Sequence, residues 1–117
     1  QTIIVIVSIS QPAYLPWLGY FERILNSDIH IVLDNVMLER CSRNRFTNRN
    51  RVKTREGSIW LTVPVLKKGF NQPIIKDCLI DNQSKWSTKH FRTLTSNYSK
   101  TPYFKNHIQW LEDFYDQ

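Results

Sequence analysis

Two short apolar runs, Ile3–Val7 and Ile29–Leu33, flank a segment that repeats on a helical period, and this spacing constrains the chain more than any other feature. Between them, Trp17–Asn26 places apolar side chains at 17, 18, 20, 21, 24 and 25, with Glu22 and Arg23 outside the stripe. Ile3–Ile9 runs through consecutive β-branched residues without alternation, the pattern of a strand buried on both faces. The order is therefore strand, loop, helix, strand. Strands joined this way pair in parallel through a right-handed crossover. The loop after the first strand, Gln11–Pro16, and the dipeptide after the second, Asp34-Asn35, then share one carboxyl edge of the sheet. Ligands of open α/β sheets bind at that edge.

The connecting stretch, SQPAYLPWLGYF at Ser10–Phe21, is stiff and aromatic. Pro12 and Pro16 fix φ and remove amide donors, and Pro16 can open the helix at its first position. Residues 39–58 are polar without a clear period and read as a long loop with at most one helical turn. Trp60–Val65 alternates as a strand does, with Pro64 marking an edge or an end. Lys67-Lys68-Gly69 reads as a turn and Ile74–Ile80 as a further strand. Asp81 or Asn82 can cap a helix over Ser84–Lys100. A last helix opens after Thr101 with Pro102 and carries Phe104, Ile108, Leu111 and Tyr115. The expected class is α/β: a short, mostly parallel sheet with a βαβ start and flanking helices. That last helix reaches Gln117 with no glycine, cap or closing basic turn, so residues 1–117 are expected to form one domain that continues past its C-terminal end.

Charge narrows the function classes. The formal net charge is +6, yet seven of the sixteen basic residues fall within 40–55 with no acid among them. The rest of the chain is nearly balanced, which favours a local anion site over a generally basic surface. Cys41 and Cys78 lie far apart, form no CxxC and have no histidine at zinc spacing, so they read as free thiols of a reducing compartment. No metal set is expected. The N-terminal apolar run lacks the flanks of a signal peptide and is too short to span a bilayer, so a cytoplasmic protein without a membrane span is expected.

Several residues carry candidate chemistry. Gln11, directly after the first strand, offers a donor and an acceptor for binding or for bracing the loop. Tyr14, between the prolines, presents a ring that could stack on a base or sugar, whereas Trp17 and Phe21 fit the packed stripe. Asp34 could act as a general base, orient an acceptor or help hold a metal; a salt bridge to the basic loop explains it equally well. Arg49 and Arg51 alternate with Asn48 and Asn50 along an extended chain, which aims both guanidiniums one way and suits bidentate capture of a phosphate or carboxylate. Trp86 and His90 share a helix face, where a histidine is more often packed core than proton carrier. His30 and His107 carry no supporting pattern. There is no P-loop, GxGxxG, HExxH or GxSxG.

These groups, with Leu33–Val36, Trp60–Val65, Ile80–Asn82, Asn97-Tyr98 and Pro102–Phe104, occur in an order and spacing that resembles the WbqC-like protein family over essentially the whole chain. Members are typically about twice as long, so this chain resembles the N-terminal half. The resemblance implies a role in the synthesis of bacterial O-antigen (lipopolysaccharide) or other surface polysaccharides, with glycine transfer to a sugar as a suggested activity. It carries over to Gln11, Pro12, Pro16, Gly19, Asp34, Asn48, Arg49, Asn50, Arg51 and His90. The position after Asp34, usually acidic in the family, is here Asn35.

Together these readings describe a transferase that acts on a nucleotide-linked sugar or another phosphorylated small molecule. Arg49 and Arg51 would hold its phosphates, Asp34 and His90 would serve catalysis, and Gln11, Tyr14, Asn48 and Asn50 would bind or orient substrate. A nucleotide is the one cofactor these residues suggest. The rival is a non-catalytic module that uses the basic and aromatic loops to bind nucleic acid or a protein partner.

Overall fold

The computed structural model describes residues 1–39, 42–66 and 73–116. The chain forms two compact units, one of Gln1–Asn50 with Lys67–Leu79, the other of Arg51–Leu66 with Ile80–Gln117. The architecture is mixed α/β. Cys41 and the predicted turn at Lys67-Lys68-Gly69 lie outside the described residues.

In the first unit, β1 (Val7–Ser10) is followed by α1 (Leu18–Leu25) and β2 (Ile29–Val32). β1 and β2 pair in parallel with Ser8 opposite His30 and Ser10 opposite Val32, as the βαβ reading requires. Both strands end at one edge, and the loop entering α1 leaves from it. The strand is shorter than the apolar run and is not buried on both faces: Val7, Ile9, Ile29 and Val32 each keep about half their surface exposed. A two-stranded sheet has too few neighbours to cover itself, and among the described residues these strands pack chiefly on each other. The side chain that β1 buries is Ser8.

The helix starts later than the prolines suggested. Trp17 takes the N-cap position with extended backbone, so Pro16 stands before the helix and not at its first turn. Leu15 adopts a left-handed φ of 44°, unusual for a branched side chain. Gly19 lets the Trp17 ring lie against the first turn, since a Cβ there would meet the indole at 3.2 Å. Further on, Ile75–Asp77 is a single 3₁₀ turn and not the middle of a strand. Only Ile74, bridged to Met37, and Ile80, bridged to Val65, retain β pairing from the predicted strand. Lys76 and Asp77 interrupt its apolar run too strongly for a ladder to persist.

The second unit takes up the chain at Arg51, within β3 (Arg49–Thr54), which forms an antiparallel hairpin with β4 (Gly57–Thr62). The polar stretch at 39–58 thus contains a strand where a loop was expected. Val52 and Leu61 supply the buried face, which the surrounding charges mask in the sequence. Gly57 carries a φ of +141°, so the turn at Arg55-Glu56 depends on a residue without a Cβ. Two helices follow: α2 (Trp86–Tyr98), after a 3₁₀ turn over Asn82–Ser84 that Asp81 caps through Gln83 N–H, and α3 (Phe104–Tyr115). Among the described residues of this unit, His90, Leu94, Tyr115, Val52, Leu61 and Val63 are buried. The Lys53 amide donates to Tyr98 Oη at 2.8 Å, tying the hairpin to α2.

Candidate functional site

The carboxyl edge of β1 carries the candidate site. The loop after β1 is pinned to the basic segment by two hydrogen bonds: Tyr14 N–H donates to the Phe46 carbonyl at 3.0 Å, and Asn50 Nδ2 donates to the Leu15 carbonyl at 2.6 Å. Trp17 packs against Phe46 with ring centroids 5.6 Å apart. Tyr20 stands edge-on to Trp17 and donates from its hydroxyl to the Gln11 carbonyl at 3.1 Å. These contacts hold two otherwise irregular segments face to face. The space between them is a cavity of about 370 Å³, walled on one side by Ser10, Gln11 and Trp17 and on the other by Asn44, Arg45 and Phe46. Arg23 and Glu39 also reach its surface. That volume lies within the range of small-ligand pockets.

The predicted residues distribute unevenly about it. Gln11 lines the cavity. Tyr14 and Asn50 hold the loop in place through the bonds above, and Asn48 is half-buried beside them in sequence. Arg49 donates from Nε to the Arg45 carbonyl at 3.2 Å and from Nη2 to the Arg43 carbonyl at 3.1 Å, which shapes the segment that walls the cavity. Its pKa is lowered by desolvation and then by the neighbouring Arg45 guanidinium. The Arg45–Arg49 pair concentrates positive charge, and an entering anion would relieve their repulsion. Asp34 is exposed just past β2, its carbonyl accepting from Lys76 N–H at 2.8 Å; it is not among the cavity-lining residues.

Arg51 and His90 belong to the second unit. The Arg51 guanidinium lies over the Trp60 ring, 5.4 Å from its centroid. His90 is buried between Trp86, 5.3 Å away, and Tyr115, 6.3 Å away, both edge-on. Burial lowers its pKa, opposed in part by a hydrogen bond to the Thr62 backbone. Among the described residues, no three His, Cys, Asp or Glu side chains gather as a metal ligand set. The Cys78 thiol is half-buried and donates to the Ile74 carbonyl at 3.4 Å, and no described helix is long and apolar enough to cross a membrane.

The sequence reading passed over three residues that the fold unites. His30 sits opposite Ser8 across the parallel pair, and Ser10 lies two residues further along the same face of β1. Ser8 Oγ is 2.7 Å from His30 Nδ1, and Ser10 Oγ is 3.2 Å from Nε2. Ser8 also donates to Ser27 Oγ at 2.9 Å, and Ser27 donates in turn to the Ile24 carbonyl at 2.9 Å. The available signal was the Ser-x-Ser alternation, which gains meaning only once the register to His30 is known.

A parallel βαβ unit whose carboxyl-edge loop walls a polar cavity defines an α/β protein with its candidate ligand site at the strand ends. Within that class, this chain belongs to the WbqC-like protein family, which it matches over residues 11–117. It is 38% identical over 109 residues to the uncharacterized protein Rv1507c of Mycobacterium tuberculosis, an alignment covering 93% of this chain and 46% of that protein. The chain thus spans about half the length of this relative. No solved structure matches it.

Proposed function

We propose that this chain carries the anion-binding part of a biosynthetic transferase that acts on a nucleotide-linked or otherwise phosphorylated sugar. The observation that carries this reading is the cavity at the end of β1, where Arg45 and Gln11 face a space of about 370 Å³. In this reading Arg45, supported by Arg49, takes the phosphate, and Gln11 orients a sugar hydroxyl. Tyr14 and Asn50 hold the loops that shape the site, and Asn48, beside them in sequence, is assigned to binding substrate. Asp34, past the end of the neighbouring strand, positions the acceptor. Family membership supports a biosynthetic role, and glycyl transfer to the sugar is the specific reaction this proposal extends to. Arg51 and His90 are not needed for the anion site.

The test is a thermal-shift titration with uridine and thymidine diphosphate sugars. Wild type should be stabilised by several degrees, and R45A and Q11A should lose most of that response while melting normally without ligand. No stabilisation by any phosphorylated sugar would remove the proposal.

A second reading has an observation of its own. Arg51 and Lys53, on exposed positions of β3, alternate with the exposed Arg55 of the turn that follows, and the Arg51–Trp60 pair offers a cationic and aromatic surface. Such a strand suits single-stranded nucleic acid. It predicts oligonucleotide binding that falls steeply with salt and is weakened by W60A.

A further inference from the structure

The hydrogen-bond chain around His30 has a defined direction. Ser27 has one hydroxyl hydrogen and spends it on the Ile24 carbonyl, so Ser27 Oγ can only accept from Ser8. The Ser8 hydrogen is thereby committed, and Ser8 Oγ accepts from His30 Nδ1–H. A neutral imidazole protonated at Nδ1 has a bare Nε2. The hydroxyl within reach of that lone pair is Ser10, which donates to it and also lines the cavity. Tyr20 stands edge-on to the imidazole at 6.0 Å and steadies the ring. The order is hydroxyl, imidazole Nε2, imidazole Nδ1–H, fixed acceptor. This is the polarity of an activated serine, with Ser8 where a carboxylate more often stands.

We infer that Ser10 is a nucleophile, with His30 as its base and Ser8 as the positioning residue, and that the cavity accepts an activated acyl group presented as an ester or thioester. Ser10 Oγ attacks the acyl carbon and its proton passes to Nε2. The bond from that carbon to the alkoxy or thiolate leaving group then breaks, and the leaving group departs with the proton from Nε2. An acyl ester on Ser10 remains. Water or an acceptor hydroxyl or amine attacks it next; Nε2 takes the proton of the newcomer and returns it to Ser10 Oγ. Arg45, on the cavity wall, supplies positive charge for the oxyanion of both steps. A hydroxyl in place of an aspartate stabilises the imidazolium less, so slow turnover with a readily trapped nucleophile is expected.

This activity goes beyond the anion-site reading, and its test needs no sugar ligand. The chain is treated with a fluorophosphonate, and the adduct is located by intact and tandem mass spectrometry. One adduct per chain at Ser10 is expected, absent from heat-denatured protein. S10A should remove it. H30Q should slow labelling about 100-fold at unchanged melting temperature. S8A should slow it about 10-fold, and S8T, which keeps the hydroxyl, should restore the rate. An unlabelled wild type, an adduct at another residue, or undiminished labelling in H30Q would overturn the assignment. Failure here with a positive thermal shift would leave the anion site standing; labelling without a shift would do the reverse.

Discussion

Replacing Asn50 tests whether the cavity depends on the link between its two walls. The Asn50 amide holds the Leu15 carbonyl at 2.6 Å, and Leu15 is the residue forced to a φ of 44°. A left-handed conformation at such a residue is unfavourable by about 1–2 kcal/mol, so it persists only where neighbouring contacts offset it. The amide–carbonyl bond contributes about 1 kcal/mol net, similar in size to that strain. N50A should therefore destabilise the first unit by about 1 kcal/mol, roughly a 5-fold change in an equilibrium constant. A fall in melting temperature of about 3–6 °C follows for a chain of this size. N50D should be worse at neutral pH, because a carboxylate would face the Leu15 carbonyl with no proton to donate. Differential scanning calorimetry with the nucleotide-sugar titration gives both readouts. Stability in the order wild type, N50A, N50D, with ligand response falling in parallel, supports the link. An N50D protein that melts and binds like wild type would refute it.

Other predictions concern the second unit. The pKa of His90 is lowered in the fold from an ordinary 6.5, so below that value the unfolded chain binds the proton more readily than the native one. Stability linked to His90 is therefore complete above pH 6.5 and lost as pH falls toward its lowered native value. Denaturant midpoints measured between pH 8 and 5 should show this decline, and H90Q should flatten it. G57A should cost about 1–3 kcal/mol through backbone strain alone, since no atom lies within 4 Å of the added Cβ; equilibrium urea unfolding would measure it.

Which parts of the molecule were legible follows from the range of the interactions involved. The βαβ start was readable because a helical stripe between two apolar runs is a local pattern, and parallel pairing follows from the connection. The helices at Trp86–Tyr98 and Phe104–Tyr115 were visible for the same reason. The strand at Arg49–Thr54 was not, because its partner, and not its own composition, makes it a strand, and only Val52 within it is buried. Ile74–Ile80 misled in the opposite sense: it has β-forming residues, but continuous pairing did not form.

The candidate site divides in the same way. Gln11, Tyr14, Arg49 and Asn50 could be singled out by type and spacing, whereas their tasks are set by which carbonyl or cavity wall each one meets. By itself, the sequence determined the order of the first elements, the stiff loop at the strand end and the local excess of positive charge, all properties of contiguous residues. Only the tertiary structure decided that His30 lies between Ser8 and Ser10, and that Arg45 shares a cavity with Gln11. Register and loop-to-loop contact join positions tens of residues apart, and no local preference encodes them.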